Sequence, residues 1–208
     1  MERKSGERTL LASVLLSSPG PIVLGAALLM GRSATQLADF VRRTAELGAT
    51  LVSLVIYRIL YRRGGADQQQ KERLERTAGT CVGLAMCLSG AAMALIALLA
   101  KGATVGNVLP ALIIASLGGL TNLWFWLRYR KLHRQTADVI LASQGKLYGA
   151  KTLVDACVTL ALGVVFFAPH TAAAAVVDMI GSAAVAAYLV VNGVVTIRSA
   201  SVGGAAGT

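Results

Sequence analysis

The chain has 208 residues, of which 55% are hydrophobic and only 14% charged, and its mean hydropathy is +0.65. A soluble domain carries about 25% charged residues, so the composition excludes a water-soluble protein and points to a chain that crosses a membrane repeatedly. The net charge of +10 would suggest nucleic acid in a soluble protein, but basic residues collect in the cytoplasmic loops of membrane proteins, and no nucleic-acid partner is expected.

Six hydrophobic segments follow in chain order. Arg3, Lys4 and Arg8 precede an apolar stretch from Thr9 to Met30. That stretch is long for the apolar core of a signal peptide, so it reads as a retained first span over Leu10 to Gly31, kinked near its middle by Pro19 and Pro21. The second span covers Thr35 to Leu60, and the segment Arg62 to Arg76 reads as a polar loop with Gly64 and Gly65 as its turn signal. The third covers Ala78 to Ala100 and the fourth Val105 to Leu127. A long fifth span runs from Asp138 to Pro169 and a sixth from Thr171 to Ile197. The expected organisation is a transmembrane domain over 1–198 and a short flexible tail over 199–208. At about 20 residues per span, the length leaves no room for a large soluble domain.

Placing the N-terminus in the cytoplasm puts fourteen Lys and Arg on that side, including Arg58, Lys71, Arg73, Arg76, Arg128, Arg130, Lys131 and Arg134. Only Arg32 and Lys101 then face outward, and Arg42, Arg43, Lys146 and Lys151 fall inside spans. The asymmetry predicts that both termini are cytoplasmic. Trp124, Trp126 and Tyr129 read as an aromatic belt at the end of the fourth span. His133 reads as solvated in a basic loop, and His170 stands in an external turn. Cys81, Cys87 and Cys157 read as small buried hydrophobes rather than as a disulfide framework or a metal pair. Gly145 and Gly149 form a GxxxG pair that permits close helix packing.

The ionisable residues within spans two and five call for function. A central Arg, Lys or Asp costs roughly 2.5–3.5 kcal/mol on insertion scales, so such groups face partners or a watery cavity. Span two carries Asp39, Arg42, Arg43 and Glu46 at i,i+3 and i,i+4 spacings. Span five carries Lys146, Lys151 and Asp155, the last two at i,i+4. Counted from the span ends at helical rise, Glu46 and Lys151 both fall near the midplane, which is the layout of a transporter site between helices.

The ordered set GRSATQLAD (Gly31 to Asp39), Asn122, DACVTLALGVV (Asp155 to Val165) and VVDMIGSAAVAAYLVVNGVVTI (Val176 to Ile197) resembles the cation diffusion facilitator family of metal/proton antiporters. The resemblance implies an all-α bundle of six transmembrane helices. It also implies a tetrahedral metal held by a His/Asp-x-x-x-Asp pair from each of spans two and five. The matching positions here are Arg42 and Glu46, and Lys151 and Asp155. Both distal acids remain, and cations replace both leading ligands. Arg does not deprotonate to coordinate a metal, so no metal ligand set is expected at these positions, nor any cofactor. The family's cytoplasmic C-terminal domain is not expected either.

These readings make Asp39, Arg42, Glu46, Lys151 and Asp155 the candidates for substrate binding and ion coupling, with Arg43, Asn122, Lys146 and Asp178 as secondary candidates. Asp39 is either a third arm of the site or a counter-ion for Arg43. Asp178 is either an ion relay or an acid favoured by its helix N-terminus. The favoured function is a proton-coupled secondary transporter of the cell membrane, with a cation or another solute as its cargo. The alternative is a non-transporting membrane protein that keeps the fold and acts with a membrane partner. Expected partners are the lipid bilayer, protons, the cargo, and a second copy or another membrane protein. No GxSxG, HExxH or P-loop pattern is present, so no enzyme activity is expected.

Overall fold

The computed structural model of the chain describes residues 2–30, 34–62, 67–99, 108–167 and 172–202. These form seven helices: α1 (Glu2–Ser17), α2 (Pro19–Met30), α3 (Ala34–Arg62), α4 (Gln68–Leu99), α5 (Val108–Thr136), α6 (Val139–Phe167) and α7 (Ala172–Val202). No strand occurs among the described residues. Helices α1 and α2 are the two halves of the first predicted segment. The predicted kink is a full break at Ser18, because Pro19 and Pro21 have no amide to donate and Pro19 suits the first position of a new helix. Ser18 closes α1, its amide donating to the Val14 carbonyl at 3.0 Å and its hydroxyl at 2.6 Å.

Two expected boundaries are corrected. Residues 68–76, read as loop, belong to α4, and the basic segment 128–136 belongs to α5. Neither stretch contains a Gly or Pro, and both are rich in good helix formers. Along α4 the pairs Gln68–Glu72 (3.0 Å) and Lys71–Glu75 (3.9 Å) add i,i+4 support. Helix α5 ends at Thr136, where Ala137 takes a left-handed turn (φ 52°), and Asp138 caps α6 by accepting from the amides of Ile140 (2.9 Å) and Leu141 (3.0 Å).

Side-chain contacts fix the helices as antiparallel neighbours. Glu7 of α1 pairs with Arg58 of α3 at 2.8 Å. Tyr61 of α3 donates to Asp138 at 2.5 Å, and Arg128 of α5 donates to Ser5 at 2.7 Å. The start of α1, the α3–α4 ends, the α5–α6 turn and the end of α7 therefore lie at one end of the bundle, termed here the basic end. Helix α4 lies along α7 with backbone close to backbone. A Cβ on Gly193 would come 2.5 Å from Cys87 Sγ and 2.7 Å from the Gly83 carbonyl, so only glycine fits there.

Large apolar side chains point outward, among them Leu15, Ile22, Leu98, Leu117, Leu120 and Leu160. Ser13, Thr50, Ser53, Ser89, Gln144, Glu46 and Lys151 are buried. That arrangement suits a lipid surround. Among the described residues three stretches are long and apolar enough to cross a membrane: Phe40–Tyr61, Gln68–Leu95 and Ala183–Ser201. One apolar cluster, around Leu10, Tyr57, Phe125, Tyr129, Leu141 and Tyr148, joins α1, α3, α5 and α6. A second, around Val82, Met86, Leu147, Val154, Val185 and Leu189, joins α4, α6 and α7.

The first cluster corrects the aromatic-belt reading. Trp124 is exposed, but Tyr129 is fully buried and bonded to Ser13 at 2.7 Å. His133 is not loose in a loop: its Nδ1 lies 2.9 Å from the Asp138 carbonyl oxygen at the α5–α6 turn. The three cysteines are free and half-buried rather than fully buried.

Candidate functional site

Helices α3 and α6 face each other along a polar seam. On α6 the residues Gln144, Tyr148, Lys151 and Asp155 follow at intervals of four, three and four, which places them on one helix face. Gln144 donates to Ser53 of α3 at 2.8 Å. Two turns further along, Lys151 Nζ lies 3.3 Å from Glu46 Oε2. Both residues are buried, at 8% and 7% exposure, so this is a desolvated pair rather than a surface bridge. Lys151 reaches across to the opposite helix for its carboxylate instead of along its own helix to Asp155.

The surroundings engage the remaining polar atoms. Ser89 of α4 donates to Glu46 Oε1 at 2.9 Å, so each oxygen of that carboxylate has a partner. The Lys151 ammonium lies 4.6 Å from the centroid of the Tyr148 ring, within cation–π range. The Tyr148 hydroxyl is bonded to Ser17 of α1 at 3.1 Å. Asn122 of α5 donates to Asp155 Oδ2 at 2.6 Å.

Of these groups, Ser17, Glu46, Asn122, Lys151 and Asp155 line a cavity of about 230 Å³ between α1, α2, α3, α5 and α6, together with Arg42, Arg43 and Thr121. The break between α1 and α2 contributes to it. Ser17 and Gly20 stand in the wall, and a Cβ on Gly20 would come 3.5 Å from Arg43 Cδ. Gly118 leaves room on the opposite side, beside Asp155.

The structure thus brings together Arg42, Arg43, Glu46, Asn122, Lys151 and Asp155 at one cavity. Lys146 lies elsewhere. Five residues from Lys151, it is turned roughly 140° around α6 at helical spacing, and it is exposed on the outer face. The side chains of Asp39 and Asp178 lie outside the described residues. Ser17, Ser89 and Tyr148 are additions that sequence reasoning missed. Tyr148 had a signal, since it shares the face of Gln144, Lys151 and Asp155. Ser89 had none beyond being a serine in an apolar helix.

The cavity carries both signs of charge, three cations against two carboxylates. Among the described residues no cluster of three or more His, Cys, Asp or Glu is placed to hold a metal ion. A cation entering this cavity competes with Lys151 for the Glu46 carboxylate.

The GxxxG pair is taken up inside the chain. A Cβ on Gly149 would come 2.8 Å from Trp126 Nε1, and one on Gly145 would come 3.7 Å from Tyr129 Cβ, so the small residues bring α6 against α5. No curated protein matches the chain. The family model for the cation efflux transmembrane domain matches residues 10–202, from the middle of α1 to the end of α7. With that match over nearly its whole length, the chain belongs to the cation efflux family of membrane proteins.

Proposed function

We propose that the protein is a six-span transporter of the cell membrane, with both termini cytoplasmic, that exchanges a small cation for a proton carried by Lys151. The observation behind this reading is the buried contact between Lys151 Nζ and Glu46 Oε2 at 3.3 Å. A tethered ammonium occupies the carboxylate that a cargo cation would need. When Lys151 gives its proton to water on one side of the membrane, Glu46 is released for cargo, and Asp155 stands in the same cavity as a second oxygen donor. Return of a proton to Lys151 expels the cargo. The Tyr148 ring face supports the Lys151 ammonium beside Glu46 before its proton leaves.

Charge conservation selects the cargo. Loss of one proton from Lys151 and gain of a singly charged cation leave the cavity's charge unchanged. A doubly charged ion adds one positive charge beside Arg42 and Arg43 in a medium of low dielectric. Sodium or potassium is therefore expected to move in preference to zinc or manganese.

The test is flux into proteoliposomes of the purified protein, with these four cations offered in turn and internal pH followed together with the cation. The expected result is uptake of a monovalent cation with about one proton released per ion, abolished in Glu46→Ala and uncoupled from protons in Lys151→Ala. Equal flux of every cation through the wild type and the Glu46→Ala/Lys151→Ala double variant would overturn the proposal. Such equality would leave the pair as a strut between two helices.

A further inference from the structure

On the outer face of the bundle α5, α6 and α7 enclose a groove of about 700 Å³, separate from the transport cavity. Arg130, His133 and Lys146 line it near the α5–α6 turn, and Leu153 and Ala156 line it further along α6. From Lys146 to Ala156 is ten residues, or about 15 Å at helical rise. That is half of a hydrocarbon core about 30 Å thick, so the groove is long enough to hold the acyl chains of one leaflet.

The two ends differ in chemistry. No acidic residue lines the groove. Among the described residues no carboxylate lies within ion-pair distance of Arg130 or Lys146, although Lys146 also borders a neighbouring cavity lined by Glu72 and Glu75. Arg130 is held over the Trp126 ring, 5.2 Å from its centroid, which fixes its head at the lip. The His133 ring is already engaged at the Asp138 carbonyl, leaving Arg130 and Lys146 as the pair of cations for an incoming anion. Deeper in, the polar wall residues are satisfied within their own helices. Thr152 donates to the Tyr148 carbonyl at 2.8 Å, and Asn192 donates to the Tyr188 carbonyl at 2.9 Å.

We infer that this groove binds an anionic phospholipid, its phosphate between Arg130 and Lys146 and its acyl chains along Leu153 and Ala156. Charge selects this occupant. A second copy docking symmetrically through the same groove would set the same cations against each other, whereas a phosphate head group pairs with both. A basic lip over an apolar slot at a membrane surface is the arrangement that selects acidic lipids. The assignment also accounts for Lys146, an exposed cation on a predicted span that the transport cavity does not use. It does not depend on the transport reading.

The protein contains two tryptophans, so Trp124→Phe leaves Trp126 as a single fluorescent reporter in the groove wall. That variant is reconstituted into vesicles containing rising fractions of acyl-brominated phosphatidylglycerol or phosphatidylcholine, with and without excess inorganic phosphate. Phosphatidylglycerol is expected to quench Trp126 half-maximally at about a thirtyfold lower fraction, roughly fivefold for each of two cations. Arg130→Gln with Lys146→Gln brings the two midpoints together, while Arg130→Lys with Lys146→Arg keeps them apart and checks that the fold survives. Equal midpoints in the parent overturn the proposal, because the groove then does not select a head group. Quenching by neither lipid overturns it in favour of a groove covered by protein. A preference that excess phosphate abolishes also overturns it, in favour of a site for free anions.

Discussion

Glu46 has a partner on each carboxylate oxygen, Ser89 on one and Lys151 on the other. Removing one member of a buried ion pair leaves an uncompensated charge and costs about 3–5 kcal/mol, while replacing both by apolar groups is close to neutral. Lys151→Met is therefore expected to lower stability by about that amount, and Glu46→Leu combined with Lys151→Met to recover most of it. Thermal unfolding of the purified protein in detergent measures both, and a double variant no more stable than Lys151→Met alone would contradict the assignment. The sequence was sufficient to nominate these residues, because charges in apolar helices are costly and few. It did not identify their partners. The i,i+4 spacing of Lys151 and Asp155 says that they share a face of α6, but the partner of each depends on how α6 registers against α3 and α5. That register places Glu46 opposite Lys151 and Asn122 opposite Asp155. Tyr129 was misread for a related reason. Its position near the end of an apolar run suits an interface residue, and only the approach of α1 turns it into core.

Helices α4 and α7 are held by small residues, since lipid supplies no hydrophobic drive between helices and close packing takes its place. A methyl on Gly193 meets backbone at 2.7 Å and one on Gly83 meets the Gly193 carbonyl at 2.8 Å, contacts that only a shift of a whole helix relieves. Gly48, by contrast, has nothing within 4 Å of such a methyl. Gly83→Ala and Gly193→Ala are expected to destabilise by about 1–3 kcal/mol, as overpacking does. Gly48→Ala is expected to stabilise by up to about 1 kcal/mol through helix propensity. Melting temperatures of the three variants decide it, and equal shifts would show that α4 and α7 are not in contact at these glycines. The helices themselves were readable from apolar runs, and a kink in the first from two prolines, though not the full break at Ser18. Helix ends were not: hydropathy reports where the apolar run stops, while α4 and α5 extend past it through QQQKERLER and RYRKLHRQT. Nor does a GxxxG pair say which helix it meets, here α5 of the same chain.

Orientation belongs to the molecule as a whole. Contacts along the chain gather one end of each helix except α2 at the basic end: Tyr61 at Asp138, Arg128 at Ser5, and Gly79 beside Ala200. Reporters at Gln69, Gln135 and Ser199, near the start of α4 and the ends of α5 and α7, must therefore face the same side of the membrane, whichever side that is. Charge then chooses between the two. The segments gathered there carry Lys4, Arg8, Lys71, Arg73, Arg76, Arg128, Arg130, Lys131, Arg134 and Arg198, an excess of Lys and Arg that holds segments in the cytoplasm. In a background with Cys81, Cys87 and Cys157 replaced by Ala, single cysteines at Gln69, Gln135 and Ser199 should resist a membrane-impermeant maleimide in intact cells and react after lysis. A cysteine at Lys101, on the stretch between the third and fourth predicted spans, should react in both. Labelling of all three basic-end positions in intact cells would keep the fold and reverse the orientation. Labelling of Gln69 and Ser199 from opposite sides would contradict the antiparallel pairing of α4 with α7, which no choice of orientation can repair.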